Sequence, residues 1–317
     1  MNKKNLNIII PVYNEEESIS ALFQRLESIR NSLNDLNVEY IFVNDGSTDR
    51  TFNILQKLAL SNSHIKVICF TRNFGHQNAL ACGIEISNSD YVVTIDADLQ
   101  DPPELIIEMY NLCKNNLDVV YAQRKKRNGE SFFKLISAKI FYKFLNYLCD
   151  LQIPPNTGDY RIITKRVVVE FRKYKEKHKF IRGLIPWLGF KSMPVFYDRD
   201  ARYAGKTKYS LSHMINFAFN AIFSFSIKPI EYFSKLGLFF ILSSFSYGVF
   251  ILYKKLILNE LIPGFAPIFL SIIFFGGFQL LFLGVVGYYV AKIFEQTRDR
   301  PNYIIDKTLN IKNQPPI

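Results

Sequence analysis

The sequence predicts a doubly wound α/β domain with a mostly parallel sheet, followed by two membrane-spanning helices. Three observations carry this. Short, largely apolar runs alternate with segments of helical period as far as residue 122. The acids Glu15, Asp45, Asp96 and Asp98 all fall at or just beyond the carboxyl ends of those runs. Two uncharged stretches, 236–253 and 268–291, are each about long enough to cross a bilayer.

Residues 6–12 (LNIIIPV) form an apolar run of the kind a parallel strand shows when both faces are covered. Residues 13–16 turn, and 16–34 carry helical spacing through Ile19, Leu22, Phe23, Leu26 and Ile29. A second strand is expected over 38–43, then a turn, NDGSTD, that caps a helix over 50–60. The third strand is 65–70, the next helix 78–86, the fourth strand 91–95 and the fifth 118–122. Strands and helices in alternation with short loops build right-handed βαβ units. Ligands bind such sheets beyond the carboxyl ends of the strands, so acids gathered there argue for one site.

Residues 92–103 (VVTIDADLQDPP) run from a buried strand straight into an acidic turn, which Pro102 and Pro103 convert into a helix start. Asp96, Asp98 and Asp101 repel one another unless a cation lies among them. Their hard oxygens, with Gln100, suit Mg²⁺ or Mn²⁺ and through it a diphosphate. An acidic loop that only caps the next helix is the alternative at this point.

Segment 131–148 places Phe133, Ile136, Ile140, Phe144 and Tyr147 on one helical face beside Lys139 and Lys143. That fits a helix lying in a membrane interface, or one facing a core. Residues 157–163 are expected as a loop entering a strand, 165–174 as a helix, 180–190 as an apolar, turn-broken stretch, and 195–198 as a short strand. Residues 199–209 form a basic loop, either a solvated face or a grip on phosphate. An aromatic amphipathic segment, 213–230, is closed by Pro229. Domain bounds follow: 1–210 globular, 211–230 juxtamembrane, 231–291 the two spans, 292–317 a tail whose last residues, from 310, are expected to be disordered.

The chain is 49% hydrophobic with a formal net charge of +11. That balance suits an anionic membrane surface or phosphorylated ligands; no nucleic-acid-binding motif is present, so nucleic acid is not an expected partner. Cys69, Cys82, Cys113 and Cys149 show no C-x-x-C spacing and read as reduced thiols. Residues 7–12, ending against Pro11, read as a strand and not as a signal peptide. Lys228 and Lys235 precede the first span, and Lys292, Arg298, Arg300, Lys307 and Lys312 follow the second. The positive-inside rule then puts both termini in the cytoplasm.

The segments PVYNEE (11–16), NDGSTD (44–49) and DADLQDPP (96–103) resemble the inverting glycosyltransferases of family 2, which have a GT-A fold. RNFGHQ (72–77), GDYR (158–161) and RYAGKTKY (202–209), with two C-terminal spans, narrow the likeness to polyprenyl-phosphate glycosyltransferases of the bactoprenol glucosyltransferase type. Dolichyl-phosphate mannose synthase is a more distant relative. Asn44 stands where many relatives carry Asp, and Asp45 is kept.

The resemblance implies that Pro11, Tyr13, Glu15, Asp45 and Asp96 hold the nucleoside sugar. It implies that Asp96, Asp98 and Gln100 bind Mg²⁺ or Mn²⁺ and the diphosphate, Asp98 and Asp159 being the catalytic pair. Asp159 is then either a base or an acid that positions the acceptor, the second being expected for an already ionised phosphate. Arg124, Arg202 and Lys208 would grip donor and acceptor phosphates. The implied reaction moves a hexose, glucose first, from a UDP-sugar to undecaprenyl phosphate at the bacterial inner membrane. The implied setting is a membrane-lipid-bound homo-oligomer, a dimer or tetramer, with a downstream flippase. A polysaccharide synthase and an inactive sugar-nucleotide-binding scaffold are the competing readings.

Overall fold

The computed structural model describes residues 3–125, 154, 156–177, 179–198, 226, 228–257 and 264–311. These fall into two compact units, one of residues 3–198 with 300–311, the other of residues 226–299. The expected helix over 131–148, the basic loop carrying Arg202 and Lys208, and most of the segment 213–230 lie outside the described residues.

The first unit runs β1 (Lys4–Val12), α1 (Ile19–Arg30), β2 (Leu36–Asn44), α2 (Thr51–Ser61), β3 (Ile65–Phe70), α3 (His76–Ile86), β4 (Tyr91–Thr94), α4 (Leu105–Lys114) and β5 (Val119–Arg124). It continues with β6 (Thr157–Thr164), α5 (Lys165–Lys173), α6 (Ile181–Trp187) and β7 (Ser192–Tyr197). One sheet holds all the strands, in the order β7-β5-β6-β4-β1-β2-β3, with an eighth strand beyond β3. The pairs β1/β2, β1/β4, β2/β3 and β5/β7 are parallel. The expected mostly parallel sheet is therefore present, and the pairs β3/β8, β4/β6 and β5/β6 make it mixed.

Three differences from the sequence-based expectation have physical causes. All of 157–164 is strand, and β6 is wedged antiparallel between β4 and β5. Apolar periodicity reports burial and not strand direction. Residues 181–187 fold as a short helix with Pro186 in its last turn, so the proline removes one backbone bond near the end and the helix stops a residue later. The tail is not simply a tail: Ile305–Leu309 is β8, antiparallel to β3. There it covers a sheet edge that would otherwise present unpaired backbone groups. Asn310, in the left-handed conformation, donates its side-chain N–H to Ala59 O and Ile65 O at 2.8 Å, which pins the end of β8.

β1 is buried on both faces, and alternate residues feed two cores. Leu6, Ile8 and Ile10 pack with α1, α2 and α4 residues, while Ile9 packs with α3 and α5. Gly83 lets α3 approach β1: a Cβ there would lie 2.3 Å from Ile9 Cγ2. Gly83→Ala is expected to destabilise the domain by about 1–3 kcal/mol, read as a lowered unfolding midpoint.

The second unit contains α7 (Lys228–Ile257) and α8 (Phe265–Thr297). Both are long and apolar enough to cross a membrane, over Lys228–Phe250 and Ser271–Thr297. Pro229 opens α7, where its missing N–H costs nothing, and does not close the preceding segment. Lys254 lies inside α7, past the membrane-length stretch that ends at Phe250. Phe233 and Phe240 of α7 meet Phe278 of α8, with ring centroids 6.0 and 5.4 Å apart. A Cβ added at Gly276, Gly277, Gly284 or Gly287 would meet nothing within 4 Å.

Candidate active site

The turns after β1, β2 and β4 meet because their strands are neighbours in register, Val12 facing Asn44 and Ile9 facing Thr94. Hydrogen bonds lace the first two turns. Asn14 N donates to Ser47 Oγ at 3.0 Å, Thr48 N to Asn14 Oδ1 at 2.8 Å, and Glu15 N to Thr51 Oγ1 at 2.9 Å. Asn14 adopts φ 53°, a conformation Asn tolerates. Pro11 is buried in β1, and Tyr13 and Glu15 are half-buried in the turn. Ser18 Oγ donates to Glu15 Oε2 at 2.9 Å. Asn44 accepts from Ser47 N at 3.0 Å, so the residue that departs from the family pattern shapes the turn.

Asp45 is buried, and its two oxygens accept the backbone N–H groups of Phe74 and Gly75 at 2.6 and 2.9 Å. Burial pushes its carboxyl above the ordinary value, opposed by those two donors. Asp45 thus fixes the turn from which α3 starts. Gly46, at φ +69°, makes this junction possible: a Cβ would lie 2.3 Å from the Arg72 carbonyl carbon and 2.6 Å from Asn73 N. Gly46→Ala is expected to cost on the order of 1–3 kcal/mol in backbone strain alone, before that clash is relieved. The 72–75 backbone must also move off Asp45, so the loss should be read as a lowered unfolding midpoint.

Beyond β4 the chain turns through Leu99 at φ 58°. Gln100 N donates to Asp98 Oδ1 at 3.2 Å, and the side chains of Asp96, Asp98 and Gln100 are half-buried. Asp101 is fully buried and accepts from Tyr197 Oη, with Arg124 Nη2 at 3.9 Å. Arg124 also donates through Nε to Tyr197 Oη at 3.2 Å, so β5, β7 and the acidic turn are tied together.

Asp159, on β6, is only 1% exposed. Its Oδ1 accepts Arg182 Nε at 2.9 Å. Its Oδ2 accepts Arg182 Nη2 at 2.8 Å and Gln77 Nε2 at 3.1 Å, and pairs with His76 Nε2 at 3.1 Å. Thr94 Oγ1 donates to the Asp159 carbonyl, joining β4 to β6 at this point. Burial alone would raise the Asp159 carboxyl, but Arg182 and His76 outweigh it and hold it well below the usual range.

The His76 nitrogen also lies 3.5 Å from Asp96 Oδ1. Burial pulls the His76 ring down, and Asp96 and Asp159 more than reverse this. Burial, with Asp159, Asp101 and Asp98 as like-charged neighbours, pushes Asp96 up to about 6 against the pull of His76. Arg161, buried two residues beyond Asp159, is pulled down to about 10 by burial, with Asp159 opposing.

The structure thus brings Asp96 and Asp159 together at His76, with Asp98 in the turn after β4, and adds His76, Gln77 and Arg182, to which the sequence pattern assigns no role. The available signal is RNFGHQ directly after the third strand, at the same edge as the acids. Arg202 and Lys208 lie outside the described residues.

Asp96 Oδ1 is buried and accepts no hydrogen bond, and the His76 nitrogen stands off at 3.5 Å, so a cation would complete its contacts. Among the described residues, no group of three or more His, Cys, Asp or Glu side chains is placed to hold a metal. One or two carboxylates suffice for Mg²⁺ or Mn²⁺ when a bound diphosphate supplies further oxygens, so the residues present fit such an ion.

Residues 7–171 match the family described as Glycosyl transferase family 2. The uncharacterized glycosyltransferase YkcC of Bacillus subtilis (strain 168) is 43% identical, over 97% of this chain and 95% of its own length. The SfII prophage-derived bactoprenol glucosyl transferase of Shigella flexneri is 35% identical, over 96% of this chain and 98% of its own. Among solved structures, the mannosyltransferase PcManGT from Pyrobaculum calidifontis, in complex with GDP-Man and Mn²⁺, is similar at TM-score 0.48 and 15% identity. That likeness covers 71% of this chain and 64% of that one, just under two thirds of its length. The family match runs from β1 through α5 and so takes in the acidic turn, His76 and Asp159. The chain belongs to glycosyl transferase family 2.

Proposed function

We propose that this glycosyltransferase moves a hexose, glucose in the first instance, from a UDP-sugar to undecaprenyl phosphate with inversion at the anomeric carbon. The observation that carries the acceptor is the extent of the match to the bactoprenol glucosyl transferase. It covers 96% of this chain, so it reaches into both α7 and α8, of 30 and 33 residues. A lipid phosphate is the acceptor for which a chain with two membrane-length helices is suited. Its prenyl tail can stay in the bilayer, which avoids about 0.8 kcal/mol for each CH₂ drawn into water.

The acceptor phosphate oxygen attacks the anomeric carbon, and the bond to the UDP oxygen breaks with its electron pair leaving on UDP. A phosphate monoester has a second pKa of about 6 and is largely ionised at neutral pH, so the attack needs little proton removal. This agrees with the state of Asp159, an anion whose oxygens are already engaged by Arg182, Gln77 and His76. Asp96 and Asp98, with Gln100 beside them, would hold Mg²⁺ or Mn²⁺. When bound, the ion takes up charge on the departing diphosphate. Pro11, Tyr13, Glu15 and Asp45 line or shape the two laced turns where the nucleoside would lie. Arg124, held by Asp101 and Tyr197, would offset repulsion between the two anionic substrates, with Arg202 and Lys208 joining it.

Both catalytic domain and termini are assigned to the cytoplasmic face of the inner membrane, where nucleotide sugars are made. The chain leaves the sheet domain before α7 and is back in the same sheet at β8, which supports an even number of crossings. Lysines and arginines before α7 and after α8 support the orientation. The uncontacted glycines of α8 are offered as the face for a dimer or tetramer.

The test is direct. The full chain in liposomes containing undecaprenyl phosphate should convert radiolabelled UDP-glucose into an organic-extractable glucolipid. Label that goes into an insoluble polymer, or no transfer from any of a panel of UDP-sugars, refutes the assignment.

A further inference from the structure

We propose that His76 is the member of the acidic cluster that meets the reacting sugar–phosphate, and that Asp159 is a positioning residue that acts through it. The inference rests on the glycosyl-transfer reading and adds a residue to it. Asp159 has almost no surface, 1%, and its oxygens are occupied by Arg182, Gln77 and His76. The His76 side chain is 39% exposed, against 23% for Arg182 and 26% for Asp96. Its ring nitrogen stands between Asp159 Oδ2 at 3.1 Å and Asp96 Oδ1 at 3.5 Å. A group seated against Asp96 therefore has the imidazole beside it, and Asp159 holds the ring through the same nitrogen that faces Asp96.

Two further side chains fix where His76 stands. Asp45 clamps the backbone of Phe74 and Gly75, so the first residue of α3 starts from a fixed point. Gln77, the next residue, bonds Asp159 with one end of its amide and the backbone N–H of Ile181 with the other, at 3.1 and 3.0 Å. That second bond holds the start of α6, and with it Arg182, against the same carboxylate. A side chain oriented from its backbone, from its ring and from its neighbour is ordered before substrate arrives, which is the condition for efficient stabilisation of a transition state.

The experiment is a double-mutant cycle on the full chain in liposomes, with UDP affinity measured separately by calorimetry. His76→Ala should lower kcat about 100-fold or more while KM for the UDP-sugar and UDP affinity change less than about threefold. Asp159→Asn should lower kcat similarly, and the double variant should be no worse than the poorer single one. Losses that multiply to about 10,000-fold would show Asp159 reaching the substrate independently and overturn the proposal. If Asp159→Asn does not fold, Gln77→Ala takes its place in the cycle, and multiplying losses overturn the proposal in the same way. A wild type that transfers no sugar sinks the glycosyl-transfer reading and this proposal with it. A working wild type matched by His76→Ala sinks this proposal alone.

Discussion

Asp96→Ala should lower turnover about 100- to 1,000-fold, a loss of ~2.7–4 kcal/mol of transition-state stabilisation. Asp96 carries a buried oxygen that accepts no hydrogen bond, at the edge of the sheet where the acids converge. His76 at 3.5 Å answers it only through a long contact, so a bound cation would relieve the remaining cost. Chelation of divalent ions should reproduce the loss in the wild type, and Mg²⁺ or Mn²⁺ should restore it. The variant should also be more stable than the wild type in the absence of metal and substrate. Burial and neighbouring carboxylates push Asp96 up to about 6, so its ionised form is penalised in the folded state. The penalty is absent below the ordinary value of 3.8, grows as pH rises from there and is complete above about 6. At pH 7.5 its removal in Asp96→Asn should raise stability on the order of 1–2 kcal/mol, and at pH 4 the gain should vanish. Thermal unfolding at the two pH values checks this; equal midpoints for the two proteins at pH 7.5 would refute it.

Asp159→Ala is expected to be the most destabilising single change in the site, by about 3–5 kcal/mol. It would leave Arg182 without its bidentate partner and Arg161, 3% exposed, without the carboxylate two residues away. The isosteric Asp159→Asn keeps an acceptor for Arg182 and should cost less, while still reducing turnover. Because its folded-state carboxyl lies below the unfolded value of 3.8, the stabilisation from Asp159 is fully present above that value. It is lost as pH falls through the depressed folded value. Because Asp159 also raises His76, the gap between wild type and Asp159→Asn should reach its full size below about pH 6, hold to pH 5 and close only in strong acid. Chemical denaturation across that range measures it, and a gap that closes near pH 6 would contradict the assignment of charge.

Much of the sheet is readable from residue pattern because β1, β2 and β3 are covered on both faces. Double coverage favours largely apolar runs, and residues 6–12, 38–43 and 65–70 show them, with Asn7, Glu39 and Lys66 each second in its run. The acids at strand ends are readable for a related reason: in parallel order every such end points to one rim. β8 is not readable. IDKTL carries two charges and pairs on one side only, so an edge strand of this composition has no apolar signature. Pro229 falls on the other side of its boundary from the one the pattern suggests, since a proline that ends one segment and one that opens a helix look alike in a linear sequence.

The residues by themselves determined the chemistry on offer: carboxylates after apolar strands, a family of motifs in order, and two stretches too long and too apolar for water. What only the tertiary structure decided is which of those groups touch. His76 and Asp159 are 83 positions apart, and they meet because β6 inserts antiparallel beside β4 while α3 begins at the same rim. Local periodicity carries no information about that pairing. It is set by hydrogen bonds between strands distant in sequence and by helices packing on the faces those strands create.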